Sequence, residues 1–274
     1  MNNLTSLKNK VIIVTGASSG IGMAIALEAA RQKAKVVLAA RRISNLEEIV
    51  KNPAFIPGSY LLVQADVRNE SDCSEIVNKT IQKFKQIDIL VNNAGISMRA
   101  LFEDVDLNVL KELMDVNFWG TVYCTKFALP YLLNSKGSIV GVSSIAGYKG
   151  LPGRTGYSAS KFAMQGFLET LRIENLKKGL HVLIACPGFT ASNIRNMALG
   201  KDGAAQKESP LDESNLMSAE EVASRIISAT IKRKRSLIMT TQGKLTVILN
   251  KFFPYLLDKM VYNHMAKEEN SPFK

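Results

Sequence analysis

The chain has 274 residues, enough to bury a full core as one large α/β domain, and its 46% hydrophobic and 22% charged residues are those of an ordinary soluble globular protein. Three scattered cysteines, Cys73, Cys124 and Cys186, fit neither a disulfide framework nor a zinc spacing, and two histidines, His181 and His264, support neither a histidine metal site nor a Ser-His-Asp triad, so no metal is expected. The formal charge of +11 admits an anionic ligand, an anionic membrane surface or nucleic acid, but most lysines are dispersed at helical spacing and no basic stripe is interleaved with aromatics, which sets nucleic acid aside.

The opening MNNLTSLKNK has no apolar run and reads as neither signal peptide nor anchor, and no stretch approaches the roughly 18 apolar residues of a spanning helix. A reducing, cytoplasmic location is expected, with membrane contact at most peripheral. Val11 to Thr15 (VIIVT) is the continuous apolar run of a parallel strand buried on both faces. It feeds GASSGIG and then the helical MAIALEAARQKA. Glycines at 16, 20 and 22 let the backbone turn sharply and leave a helix N-terminus open to a pyrophosphate, as G-x-x-x-G-x-G rather than G-x-G-x-x-G. The candidate cofactor positions here are Gly16, Ser18, Ser19, Gly20, Ile21 and Gly22.

A second strand, Lys35 to Ala40, ends in Ala40-Arg41, where NAD-binding folds of this type usually carry an acid for the ribose hydroxyls. A guanidinium suits a phosphate instead, so NADP(H) is expected, unless Arg41 and Arg42 merely open the next helix. The third strand, about Tyr60 to Ala65, ends at Asp66-Val67, and Asp66 could accept from an adenine amino group or cap the helix Glu70 to Lys85. The fourth, Asp88 to Val91, enters NNAG, where small residues (Asn93, Ala94, Gly95) let backbone approach a cofactor and asparagines can tie strands together. Asn117 falls inside the helical stretch Val105 to Leu133; a mid-helix asparagine points to a kink or a bound water.

Ser138 to Val142 is a fifth strand that delivers Ser143 and Ser144 at its end. Beyond a Gly/Pro-rich loop, Tyr157 and Lys161 lie four residues apart on one helix face. An ammonium beside a phenol lowers a pKa normally near 10, so Tyr157 could exchange a proton with an alcohol or carbonyl while a serine hydroxyl holds the same oxygen. The helix is expected to continue to Lys178, followed by a strand Leu180 to Cys186 ending at Pro187-Gly188. Phe189 to Met217 is polar and aperiodic, a lid or a disordered insert. A helix Ala219 to Arg233 and a strand Leu237 to Thr240 close the pattern.

Seven strands alternating with helices predict a doubly wound parallel sheet of Rossmann type, with helices on both faces and ligands outside the strands' carboxyl ends. Residues 1–241 are read as one dinucleotide-binding and catalytic domain, and 242–274 as an amphipathic C-terminal extension. In that extension Leu245, Ile248, Leu249, Phe252, Phe253, Leu256, Leu257 and Met260 form a helical stripe interrupted by Pro254 and flanked by Lys244, Lys251 and Lys259. It suits a membrane interface, a partner, or a face folded onto the domain. The run Lys232 to Arg235 stands at a helix C-terminus, where cations suit the dipole, and could also add to an anionic-surface contact.

With TGASSGIG, Asp66-Val67, NNAG, Asn117, Ser144, YSASK from Tyr157 and Pro187-Gly188 in place, the chain resembles the short-chain dehydrogenases/reductases over Lys10 to Ile194. The resemblance implies that Tyr157 is the general acid/base, that Lys161 lowers its pKa and holds the nicotinamide ribose, that Ser144 (Ser143 less so) is the catalytic serine, and that Asn117 holds a water of the proton relay. It also implies a homo-oligomer. Ser19 departs from the pattern, since many NADP-dependent members carry a basic residue there, so cofactor choice rests on Arg41. The tail looks like those of members acting on lipids, sterols or retinoids, including acyl- or alkyl-dihydroxyacetone-phosphate reductases. The expected activity is an NADP(H)-dependent oxidoreductase that interconverts a carbonyl and a primary or secondary alcohol on an apolar substrate (a keto lipid, steroid or retinoid). The alternative is a non-catalytic NADP(H) sensor or interaction protein on the same fold.

Overall fold

The computed structural model describes residues 6–188, 190, 194–206, 216–267 and 271–272. Strand β1 (Val11–Thr15) is wholly buried, as its unbroken apolar run requires, and helix α1 (Gly20–Arg31) turns its alanines and Ile25 onto the sheet. There follow β2 (Lys35–Ala40), the short α2 (Ile43–Ile49), β3 (Tyr60–Gln64), α3 (Glu70–Phe84) and β4 (Ile89–Asn92). The predicted helix Val105 to Leu133 is three pieces: α4 (Leu107–Met114), a π-helical turn (Asp115–Trp119) and α5 (Gly120–Asn134). Then come β5 (Ser138–Val142), a 3₁₀ turn (Ile145–Gly147), α6 (Thr155–Glu174), β6 (His181–Cys186), α7 (Ala219–Ile231), β7 (Ser236–Ile238), α8 (Thr241–Phe252) and α9 (Pro254–Met265).

The strands form one seven-stranded sheet in the order β3-β2-β1-β4-β5-β6-β7, every pairing parallel. Direction of winding reverses between β1 and β4, so a crevice lies at the carboxyl ends of those two strands. Alternate residues of β1 divide the core. Ile12 and Val14 join α1, α2 and α7 on one face, and Val11 and Ile13 join α3, α5 and α6 on the other. A smaller third cluster, Met98, Ala100, Val105, Val109 and Leu113, sits above the carboxyl ends, with Leu110, Tyr157 and Leu199 against it.

The aperiodic segment after β6 is partly built into this top layer. Leu199 N–H donates to Ser97 at 2.9 Å, Arg99 N–H returns to Leu199 at 2.9 Å, and Asp106 N–H donates to Lys201 at 2.8 Å. Residues 189, 191–193 and 207–215 of that predicted segment lie outside the described residues. At the other end of the sheet, Arg233, just past α7, donates to the carbonyls of Lys136 (3.1 Å) and Gly179 (2.6 Å), so this member of the Lys232 to Arg235 run ties the end of α7 to the loops that lead into β5 and β6. Among the described residues no helix is long and apolar enough to cross a membrane.

Candidate active site

The glycine turn is held from both sides. Gly16 has φ +65°, and a Cβ there would stand 2.8 Å from Ala94 Cα. A Cβ on Gly22 would stand 2.4 Å from both Asn93 Nδ2 and Gly16 O, so β1, the turn and the NNAG loop close only around hydrogen. Asn93 Nδ2 donates to Thr15 O at 2.9 Å and Gly16 O at 3.3 Å, while Thr15 Oγ1 accepts from the N–H groups of Asn93 (3.0 Å) and Ala94 (3.1 Å). Asparagine 93 therefore shapes the cradle. Helix α1 starts at Gly20 without a side-chain cap from Ser19, leaving its first N–H groups and positive dipole end open in the crevice beside Ser18 and Ile21. These residues fit the phosphates of a dinucleotide.

At the end of β2, Arg41 is exposed and makes no ion pair or hydrogen bond among the described residues. Asp66 does not stand open beside it. Arg68 Nε donates to its two oxygens at 3.1 and 3.0 Å, Arg68 Nη2 to Oδ2 at 2.6 Å, and Arg68 N–H to Oδ1 at 3.1 Å. Burial works to raise this carboxyl, but Arg68, helped by the charge of Arg41, holds it below the usual carboxylate range. The Asp66 carboxylate thus braces the turn into α3, whose N-cap is Asn69. Val67 is buried against Gly120, where a Cβ would meet Val67 Cγ2 at 2.7 Å.

The π turn accounts for Asn117. Its extra residue is closed by Gly120 N–H donating to Asp115 O, and it turns Asn117 fully inward. Asn117 Oδ1 accepts from Ile96 N–H at 2.9 Å; its Nδ2 donates to Ile96 O at 3.0 Å and to Ser160 Oγ at 2.9 Å. Ser160 Oγ in turn donates to Tyr157 O at 2.8 Å. The asparagine therefore ties the NNAG loop to the helix that carries Tyr157 and Lys161.

Lys161 is buried, its Nζ donates to Val142 O at 2.9 Å, and a Cβ on Gly95 would stand 3.5 Å from that Nζ. Burial pushes its pKa down to about 8. Its ammonium lies 5.8 Å from the Tyr157 ring centroid. Sequence reasoning expected this ammonium to lower the phenol's pKa, and the protein alone does the opposite. Burial pushes Tyr157 up, outweighing the hydrogen bond from Ser144 and the charge of Arg154. The Lys161 ammonium itself is anchored on the Val142 carbonyl.

Ser143 and Ser144 separate cleanly. Ser143 is buried and its Oγ accepts from Gln165 Nε2 at 2.8 Å. Ser144 is half-buried, its Oγ accepts from Ala146 N–H at 3.1 Å, and it reaches the Tyr157 phenol. Gln165 was not anticipated, although it continues the four-residue spacing of Tyr157 and Lys161 along α6. Pro187 and Gly188 follow β6, and a Cβ on Gly188 would strike Thr240 Cγ2 at 2.3 Å.

The structure thus gathers Asn117, Ser144, Tyr157 and Lys161 beside the glycine cradle at the sheet's carboxyl edge. A family model described as short chain dehydrogenase matches residues 10–202. The chain belongs to the short-chain dehydrogenase family.

Among the curated relatives of this dehydrogenase, the Dehydrogenase/reductase SDR family protein 7-like of Dictyostelium discoideum is 36% identical over 265 residues, covering 94% of this chain and 82% of the relative. The 11-beta-hydroxysteroid dehydrogenase A of Sesamum indicum is 35% identical over 256 residues, covering 91% of this chain and 73% of the relative. The fold is shared with a short chain dehydrogenase/reductase SDR from Burkholderia phymatum, solved in complex with NAD, at a TM-score of 0.80 and 24% identity, over 92% of this chain and 96% of that one. By its family the dehydrogenase is an oxidoreductase.

Proposed function

We propose that this dehydrogenase interconverts a carbonyl and a primary or secondary alcohol on an apolar substrate, a steroid, retinoid or keto lipid, with NADP(H) as its cofactor. The observation that carries the reading is the apolar cluster against Tyr157: Leu110, Leu199 and Met98 stand beside the one phenol that Ser144 reaches. The name of the Sesamum relative supports a steroid-like substrate. Arg41, exposed where an acid would select NAD, supports NADP(H).

Gly16, Ser18, Ser19, Gly20, Ile21 and Gly22 would hold the cofactor's phosphates, Arg41 its ribose phosphate, Asp66 and Val67 the edge of the adenosine site, and Ala94, Gly95, Lys161, Pro187 and Gly188 the nicotinamide side. When bound, the cofactor supplies or accepts the hydride. The chain's own residues handle the proton. Ser144 holds the substrate oxygen, and Tyr157 gives it a proton in reduction and removes one in oxidation. Lys161 places a positive charge near that exchange, and Asn117 fixes the helix face relative to the NNAG loop.

Residues 1–241 form the catalytic unit in this reading, and 242–274 are its amphipathic extension. Free thiols at 73, 124 and 186 suit a reducing, cytoplasmic location. A homo-oligomer belongs to the same reading, since exposed Trp119, Phe162 and Ile173 offer apolar surface that a second copy would cover. The test is cofactor consumption with a panel of keto steroids, retinal and keto lipids, run with NADPH and NADH. Turnover on an apolar carbonyl, faster with NADPH, is expected. No turnover across the panel with either cofactor would contradict the reading.

A further inference from the structure

Helices α8 and α9 do not lay their apolar stripe on the domain. Only Gly243, Leu257 and Met265 are buried in the pair. Leu245, Ile248, Phe252, Tyr255, Leu256 and Met260 are 49–71% exposed. The pair is nevertheless fixed to the body. Asn250 Nδ2 donates to Tyr148 O at 2.9 Å, and Lys149 pairs with Asp258. Gly243 lies against Ile145, the residue after Ser144.

The cations around this surface are free to meet a partner. Lys244, Lys251 and Lys259 are exposed and make no ion pair among the described residues, and the one carboxylate of α8 and α9, Asp258, is taken by Lys149. Lys251 Nζ lies 5.7 Å from the Phe252 ring centroid and Lys259 Nζ 4.5 Å from that of Tyr255, so ammonium heads ride beside aromatic rings. That is the layout of side chains whose rings enter an acyl layer while their charges stay at headgroup level.

We infer that the outer face of α8 and α9 docks on an anionic lipid bilayer. A second copy meets this surface poorly, because a two-fold contact would bring the same lysines toward one another with no free carboxylate on either helix to answer them. Anionic headgroups supply that charge, and acyl chains take the apolar side chains. The inner side of α8 rests through Gly243 on the Ile145–Gly147 turn, so the helix pair that docks is also the one packed next to Ser144. Docking itself does not depend on the catalytic reading.

The experiment is co-sedimentation of the full chain with vesicles of phosphatidylcholine alone and of phosphatidylcholine mixed with phosphatidylserine. Wild type should pellet with the mixed vesicles. K251Q/K259Q should lower that partitioning roughly fivefold per lysine. F252E/L256E should stay in the supernatant with an unchanged melting temperature, since both side chains are already exposed. Wild type remaining in the supernatant with both vesicle types would overturn the inference, as would F252E/L256E pelleting like wild type. A dimer in sedimentation velocity that F252E/L256E splits, with no vesicle binding, would assign the face to a second copy and also overturn it.

Discussion

Asn117 and Ile96 exchange two hydrogen bonds, Ile96 N–H to Oδ1 at 2.9 Å and Nδ2 to Ile96 O at 3.0 Å, across the seam between the π turn and the NNAG loop. The side chain thus completes the backbone of a loop that belongs to no ladder there. Replacing it with alanine leaves the Ile96 donor and acceptor, and the Ser160 hydroxyl, without their partner in a buried place.

Asn117→Ala should therefore cost about 2–4 kcal/mol of stability. It should also slow turnover, because the register of α6 against the loop is released. Urea unfolding, read alongside a substrate assay, checks both; an unchanged midpoint would contradict the clamp.

Cofactor choice is tested at Arg41. Its side chain is exposed and makes no contact that the fold needs, so Arg41→Ala should leave the melting temperature unchanged. Loss of a charge-assisted phosphate contact should weaken NADPH binding about 10- to 100-fold and leave NADH nearly unaffected. Titration of both cofactors decides it, and equal effects on the two would remove Arg41 from the site.

Gly22→Ala is the test of the cradle. The added methyl would sit 2.4 Å from Asn93 Nδ2 and from the Gly16 carbonyl, neither of which can yield without opening the turn. A loss of about 1–3 kcal/mol and a fall in affinity for both dinucleotides are expected. Cofactor binding at wild-type strength would show that the turn does not form the phosphate site.

The acid side of the stability profile should carry the mark of His181. Burial lowers its pKa to about 4 from 6.5, and its ring meets Ser138 Oγ at 2.9 Å and Lys234 O at 2.8 Å. Because the folded value lies below the unfolded one, the unfolded chain binds the extra proton first. The contribution, about 3 kcal/mol, is whole above pH 6.5 and is lost as pH falls through 4. In His181→Gln the loss between those values should flatten, as measured by urea midpoints across that range.

Much of this arrangement was legible from residue order. VIIVT reads as a strand buried on both faces and SIVGV as a short apolar strand, and the glycine turn after the first placed the crevice. Asn117 announced a distortion because asparagine is a poor helix interior residue; that it would be a π turn closed by Gly120 follows from packing of Gly120 on Val67, which spacing does not encode. The Tyr157–Lys161 spacing gave the shared face but not the direction of the phenol's pKa, since that depends on how deeply the phenol lies, which spacing does not encode. Spacing admits Asp66 as a ligand group or as the cap of α3; the cap falls to Asn69, and Arg68, two residues on, pairs with the carboxylate. The apolar layer over Tyr157 went unseen because it pairs Ser97 to Arg99 with Leu199, about a hundred residues apart.

The central claim is that Tyr157 exchanges the proton with the substrate oxygen, and Tyr157→Phe isolates it by removing one hydroxyl and no packing volume. Turnover and NADPH binding measured on the same preparation should show a rate about 10²- to 10⁴-fold lower with cofactor affinity unchanged. A Tyr157→Phe enzyme that turns over at the wild-type rate would contradict the account.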